Sequence, residues 1–119
     1  MRLVYVIGPY RAATEWGVER NIQNALSFGA YVARMGAYPV IPHANTAHFG
    51  GLCPDAFLLE GTLELCSRCD AAFCVPGWSN SEGSCGEVGM MVRLGKPVFE
   101  ALGNLKEWIE SSNRKSNER

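Results

Sequence analysis

Short apolar runs alternate along this chain with longer stretches whose apolar residues recur at helical spacing. Four short runs have the length and composition of buried strands, and the first three are followed directly by glycine or proline. They predict strands over residues 2–7, 37–41, 70–75 and 96–99. Pro39 indicates either that the second strand lies at a sheet edge or that this residue stands at the start of the strand, because proline cannot donate a ladder hydrogen bond.

The stretches between these strands have the periodicity of amphipathic helices. In the first stretch Thr14 is a suitable N-cap and Gly36 a suitable helix stop. The apolar stripe between them comprises Ile22, Ala25, Leu26, Gly29, Val32 and Ala33. Further helices are predicted over residues 55–68, from 83 or 84 to 94, and over 104–113. Because strands and helices alternate, the pattern indicates an α/β fold with a parallel sheet and helices on both faces.

Composition narrows the class of protein. The chain has 119 residues, of which 47% are hydrophobic and 19% charged, and its net charge is −1. We expect a single domain over residues 1–110 and a polar tail over 111–119 that frays. The near-neutral charge favours neither polymeric nucleic acid nor an anionic membrane as a partner. With no export signal and no apolar run of about 18 residues, a cytoplasmic protein is expected.

The five cysteines form an odd number, which favours reduced thiols over a disulfide framework. Cys66 and Cys69 have C-x-x-C spacing, and Cys74 lies nearby. A zinc site needs further ligands, and His43 and His48 lack the usual spacing. Small core thiols are therefore the expected role, and metal or redox chemistry at Cys66 and Cys69 is a rival hypothesis.

Glu87 is the residue whose position most needs an explanation. It lies on the predicted third helix with Met91 and Leu94 on the same face, so its carboxylate falls on an apolar stripe, where desolvation is costly. The preceding loop leaves the third strand, and open α/β sheets bind ligands at that edge. The functional interpretation is a nucleophile or general acid/base. The structural interpretation is a favourable interaction with the helix N-terminus.

The loop that leads into this helix combines hydroxyl groups with exposed backbone. Its serines and glycines are Gly77, Ser79, Ser81, Gly83, Ser84 and Gly86. Such a loop at a helix N-terminus binds phosphate well, although a solvated Gly/Ser loop has the same composition. Trp78 favours a ligand site, because an indole is costly to expose and suits a wall for a flat ring.

The loops after the first two strands carry further candidates. Gly8 allows close approach of backbone to a ligand, and Arg11 offers a cation to an anion, with a surface arginine as the alternative. Tyr5 is either a core tyrosine or a hydroxyl that orients Glu87. His43 either contacts substrate or is a surface or packing residue.

Four segments together resemble a known superfamily, at residues 4–11, 69–73, 81–87 and 95–98. They are similar to the nucleoside 2-deoxyribosyltransferase-like group, and most similar to a branch of small bacterial and phage proteins near the 2′-deoxynucleoside 5′-phosphate N-hydrolases. The resemblance spans residues 2–100. It implies a flavodoxin-like three-layer αβα sandwich with a parallel sheet of four to five strands.

The resemblance also implies roles for individual residues. Glu87 matches the glutamate that attacks the anomeric carbon, and Tyr5 matches the tyrosine that positions it. Ser81 stands where the phosphate-selective hydrolases have a serine and the deoxyribosyltransferases an aspartate. Arg11 matches an arginine near the phosphate. Thr62 departs from the family, which often has an aspartate there near the base and sugar.

We therefore expect an enzyme that cleaves or transfers the N-glycosidic bond of a (deoxy)nucleoside 5′-monophosphate, without a metal or organic cofactor. Catalysis is expected at Glu87 and Tyr5. The residues expected to bind substrate are Gly8, Tyr10, Arg11, His43, Trp78, Ser79, Ser81 and Gly83. Relatives complete their sites across a subunit interface, so a homo-oligomer is expected. The alternative function is a non-catalytic domain that binds or senses a nucleotide.

Overall fold

The computed structural model describes residues 1–117, and its centre is a parallel sheet. The strands are β1 (Leu3–Ile7), β2 (Tyr38–Val40), β3 (Ala71–Cys74) and β4 (Val98–Phe99). They pair in the order β2-β1-β3-β4, and every pairing is parallel. The predicted α/β fold is confirmed, and β2, which contains Pro39, lies at the sheet edge.

Within residues 1–117, five α-helices connect and flank the strands. They are α1 (Glu15–Arg34), α2 (Pro42–Asn45), α3 (Asp55–Ser67), α4 (Glu82–Arg93) and α5 (Leu102–Asn117). A 3-10 turn at Trp78–Asn80 lies between β3 and α4. The predictions did not include α2 or the 3-10 turn, because so few residues produce no readable periodicity.

Helices α4 and α5 have ends that differ from the predictions. Helix α4 begins at Glu82 because the Ser81 side chain caps it, accepting a hydrogen bond from the backbone N–H of Ser84. Helix α5 begins at Leu102 and continues to Asn117, and Ser112 on it is buried. Residues 111–117 of the predicted frayed tail are therefore helical, and residues 118 and 119 lie outside the described part of the chain.

The two faces of the sheet carry separate core clusters, because successive side chains of a strand point to opposite faces. The α1/α5 cluster consists of Val4, Val32, Ala37, Ala71, Phe73, Leu105 and Ile109. The α3/α4 cluster consists of Tyr5, Ile7, Cys66, Cys69, Ala72, Cys74 and Met91. Helices α1 and α5 thus cover one face and helices α3 and α4 the other, which is the three-layer αβα arrangement.

The carboxyl ends of the strands meet at one edge of the sheet, so the loops after β1, β2 and β3 are neighbours. Gly8 ends β1 at this edge, where a Cβ atom would lie 2.4 Å from Cγ2 of Val75. The glycine is therefore required by packing between the ends of β1 and β3, whether or not a ligand also approaches it.

Within residues 1–117 no helix has both the length and the apolar composition needed to cross a bilayer.

Replacing Gly8 by alanine should destabilise the fold by about 1–3 kcal/mol, because the new methyl group overlaps Val75 inside the core. Urea unfolding measures the change. Gly61→Ala on α3 is the matched control, since nothing lies within 4 Å of its Cβ position. It should be neutral or stabilise by up to about 1 kcal/mol. Equal stability of the Gly8→Ala variant and the wild type would contradict the packing argument.

Candidate active site

A buried tyrosine and a largely buried glutamate meet in the α3/α4 cluster at the carboxyl edge of the sheet. The hydroxyl of Tyr5 donates a hydrogen bond to Oε2 of Glu87. Tyr5 has no solvent exposure, and the alternation of β1 directs its side chain towards α4. The Ser81 cap sets where α4 begins and thereby the height at which Glu87 projects. The structure thus brings together the two residues predicted from sequence to be catalytic.

Burial dominates the electrostatics of this pair. It raises the pKa of Glu87 to about 7, and the hydrogen bond from Tyr5 opposes part of that rise. Burial, followed by the negative charge of Glu87, raises the pKa of Tyr5 far above its ordinary value. At neutral pH Tyr5 is therefore a permanent donor, whereas Glu87 exchanges readily between its neutral and charged forms.

Three buried thiols surround the pair but are poor nucleophiles. Burial raises the pKa of Cys66, Cys69 and Cys74, and the values for Cys69 and Cys74 are about 11 and about 12. All three thiols therefore stay protonated at neutral pH. No group of three or more potential metal ligands occurs in the described part of the chain. The cysteines serve as core residues, which is the role expected for them.

Trp78 lies in the loop after β3, where it begins the 3-10 turn. Gly77 precedes it with φ of 88°, a left-handed conformation that suits glycine and turns the chain there. The half-buried indole packs against the α3/α4 cluster, and its Nε1–H donates to Oε1 of Glu100 at 2.8 Å. The indole therefore covers part of the cluster that contains Tyr5. Nothing in the sequence pattern singled out Glu100 as its partner.

His43 joins the ends of β1 and β2 from inside the protein. Its Nε2 donates to the carbonyl oxygen of Gly8 at 2.9 Å, which leaves Nδ1 as a hydrogen-bond acceptor. The residue is only 4% exposed, and Nδ1 is buried without a partner among the described residues. Burial lowers the pKa of His43, against the effect of hydrogen bonds to the backbone of Gly8 and Pro9. The imidazole is neutral at neutral pH.

The turn after β1 is held by contacts from two other segments. The Tyr10 ring lies 6.3 Å from that of His43, and its hydroxyl accepts a hydrogen bond from the backbone N–H of His48 at 3.1 Å. Asn21 of α1 donates to the carbonyl oxygens of Tyr10 and Arg11, at 3.0 and 3.3 Å. The sequence analysis missed Asn21, because an amide on a helix surface carries no pattern that marks such a contact.

The remaining predicted site residues are exposed or serve the loop itself. Arg11 points outwards and pairs loosely with Asp55, with 3.4 Å between Nη2 and Oδ2. Ser79 and Gly83 are exposed, whereas Ser81 uses its hydroxyl as the helix cap. Ser84, one turn before Glu87, is buried with no partner for its hydroxyl among the described residues.

Two hollows lie near this edge, and neither is lined by Glu87. A cleft of about 290 Å³ between α2 and α3 is lined by Pro42, Asn45, Thr46, Phe57, Leu58, Gly61, Thr62 and Leu65. It reaches the α3/α4 cluster through Leu65, which packs against that cluster. An open hollow of about 680 Å³ runs along α1 and contains none of the predicted site residues. The half-buried carboxylate of Glu87, rather than cavity size, therefore locates the candidate chemistry.

Comparisons with known proteins agree with this architecture. No protein-family model and no curated protein matches the chain. A solved structure of 2-deoxyribosyltransferase from Bacillus psychrosaccharolyticus superposes with a TM-score of 0.65 and 16% identity, over 87% of this chain and 90% of that one. The 2-deoxyribosyltransferase from Leishmania mexicana superposes with a TM-score of 0.57 and 20% identity, over 82% and 62%. This chain shares their fold. At such identities the likeness establishes the fold alone.

Replacing Glu87 by glutamine should stabilise the protein at high pH and much less at low pH. The raised pKa means that the folded state holds a proton which the unfolded state releases above about pH 4.5, so wild-type stability falls as pH rises from there to about 7. Glutamine removes this loss. The difference in unfolding free energy between variant and wild type should grow by up to roughly 3 kcal/mol across that window.

Urea unfolding at pH 4.5, 5.5, 6.5 and 8 measures this difference. Both proteins contain His43, so its contribution to the pH dependence cancels when one unfolding free energy is subtracted from the other. Glu60→Gln is the control, since Glu60 is an exposed carboxylate on α3. Its difference from wild type should stay flat. A flat difference for Glu87→Gln as well would contradict the raised pKa.

Proposed function

We propose that this protein cleaves or transfers the N-glycosidic bond of a (deoxy)nucleoside 5′-monophosphate, with Glu87 as the nucleophile. One observation carries the proposal: a carboxylate largely removed from water is held by a buried tyrosine hydroxyl at the sheet edge where α/β proteins bind ligands. The shared fold with solved 2-deoxyribosyltransferases supports the reaction class.

The chemistry requires the charged form of Glu87. Its Oε2 accepts the hydrogen bond from Tyr5, which fixes the carboxylate plane and leaves Oε1 for attack on C1′ of the sugar. A C1′–O bond to Glu87 forms as the C1′–N bond breaks, and the base departs with that electron pair and takes a proton from water. Water or a second base then attacks C1′ and releases Glu87, as in retaining glycosidases.

A pKa of about 7 for Glu87 suits both the formation and the breakdown of the covalent glycosyl-enzyme. The carboxylate is charged often enough to attack, and its weak solvation leaves it reactive towards the oxocarbenium-like centre that forms as the base leaves. Tyr5 stays protonated throughout and keeps donating to Oε2 of Glu87. Tyr5 is thus a positioning group and takes no proton from the substrate.

The phosphate is proposed to bind at the N-terminus of α4 and at Arg11. Backbone N–H groups near Gly83 and the hydroxyl groups of Ser79 and Ser81 lie at that helix end. The Arg11 side chain is exposed, and its pair with Asp55 is solvated and long, so a phosphate can displace the carboxylate. Trp78 and Tyr10 would flank the base or sugar. Gly8 and His43 would hold the turn after β1, which carries Tyr10.

A homo-oligomer is part of the proposal. Apolar side chains on the outer surface of α3 and just before it are exposed, namely Leu52, Phe57, Leu59 and Leu63. Leu59 and Leu63 lie four positions apart and so share one face of α3, and exposed apolar side chains on one helix face suit a subunit interface. A second copy seated there would cover α3 and deepen the shallow edge that carries Glu87.

Replacing Glu87 by glutamine should reduce release of free base from a deoxynucleoside 5′-monophosphate by at least about a thousandfold, because an amide cannot attack C1′. Nucleotide affinity should change little. Chromatography of free base measures turnover and calorimetric titration measures binding, with a panel of the four deoxynucleotides. Glu110→Gln, at an exposed position of α5, is the control and should keep wild-type turnover.

Turnover retained in Glu87→Gln would contradict the proposed nucleophile. Wild-type protein that binds a nucleotide but releases no base from any member of the panel would instead support the non-catalytic binding function.

The 5′-phosphate should raise kcat/KM by about tenfold to a hundredfold over the free nucleoside, because a hydrogen bond to a charged group contributes roughly 1.5–3 kcal/mol. Arg11→Ala should remove most of this preference and leave the free nucleoside unaffected. Arg34→Ala is the control, since it removes an exposed cation at the opposite end of α1. Equal kcat/KM for the two substrates in the wild type would contradict the phosphate site.

A further inference from the structure

We propose that Glu100 is a positioning residue that holds the indole of Trp78 as a fixed wall against the α3/α4 cluster, which contains Tyr5. The role of that wall in substrate binding rests on the function proposed above. The contact itself is independent of it: Nε1–H of Trp78 donates to Oε1 of Glu100 at 2.8 Å.

The two residues belong to loops at the same edge of the sheet. Trp78 opens the 3-10 turn that follows β3, and Glu100 directly follows β4. Because β3 and β4 are parallel neighbours with Phe73 opposite Phe99, both loops emerge at the carboxyl edge. The hydrogen bond therefore ties together two adjacent loops from residues 22 positions apart.

The indole is held on two sides by different forces. Its apolar body packs against the α3/α4 cluster, which contains Tyr5. Its polar edge points to Glu100, which is itself exposed. A hydrogen bond to a carboxylate is shorter and stronger than one to a neutral acceptor, and it has a preferred direction. Packing alone would allow the half-buried ring to rotate, whereas the second contact selects one orientation of its plane.

Glu100 also lies close enough to influence the interior of the site. Burial raises the pKa of Cys74 to about 12, and the next contributions come from the charges of Glu100 and Glu87 in turn. Both carboxylates therefore lie near the same buried thiol. Glu100 is nevertheless engaged by Trp78, so its effect on a substrate would pass through the indole and not through a contact of its own.

A double-mutant cycle tests the proposal, using Glu100→Ala, Glu100→Gln, Trp78→Phe and the combination of Trp78→Phe with Glu100→Ala. Phenylalanine keeps an aromatic wall but has no N–H to donate. Glutamine keeps an acceptor oxygen at the same reach. Glu110→Ala, at an exposed position of α5, is the control for loss of an unrelated carboxylate.

The first readout is the indole Nε1–H resonance of Trp78 in ¹⁵N–¹H spectra, assigned by its disappearance in Trp78→Phe. In Glu100→Ala it should move upfield and exchange faster with water, because the charged acceptor is gone. In Glu100→Gln it should move less and stay protected. In Glu110→Ala it should not move.

The second readout is the response to a deoxynucleoside 5′-monophosphate. Glu100→Ala should raise KM and the dissociation constant by about threefold to tenfold with kcat within about twofold, since ground-state positioning is lost and Glu87 is untouched. Glu100→Gln should restore both values. In the Trp78→Phe background Glu100→Ala should have no further effect, because coupled residues lose their interaction only once.

An unmoved indole resonance in Glu100→Ala, or an equal loss of affinity with and without Trp78, would overturn the role given to Glu100. Wild-type protein that neither binds nor converts the nucleotide contradicts the proposed function and the substrate role of the wall. The resonance then still decides whether Glu100 fixes the indole, so the two failures have separate readouts.

Discussion

The hydrogen bond from Tyr5 to Glu87 is the interaction on which the candidate site depends. It joins the central strand β1 to helix α4 inside an apolar cluster, where a carboxylate has lost most of its water. The tyrosine returns part of that lost solvation, yet the pKa of Glu87 remains near 7 because burial outweighs one hydrogen bond. The geometry requires that α4 begin at one particular residue, and the Ser81 cap provides that start.

A second set of contacts holds the loops around this pair in place. His43, neutral and buried, joins the ends of β1 and β2 through the Gly8 carbonyl oxygen, and Asn21 ties the following turn to α1. Glu100 and Trp78 do the same for the ends of β3 and β4. Loops from all four strands are thus fixed before any ligand binds, which limits the conformational entropy that binding must remove.

Much of this architecture was predictable because its causes are local. The strands and long helices follow from hydrophobic periodicity, and Thr14 caps α1 as its sequence position indicates. The apolar stripe marked Glu87, and the family resemblance of the sequence paired it with Tyr5. The four-residue helix α2 and the 3-10 turn at Trp78 were not predictable, since elements this short are formed by their tertiary surroundings.

The sequence by itself determined the order of strands and helices, the faces they bury and the presence of a carboxylate on one of those faces. Only the tertiary structure decided the state of that carboxylate. A helix N-terminus lowers a carboxyl pKa and burial raises it, and their balance depends on atoms from β1, β3, α3 and α4 that are distant in the chain. The partners of Trp78 and His43, 22 and 35 positions away, were beyond prediction for the same reason.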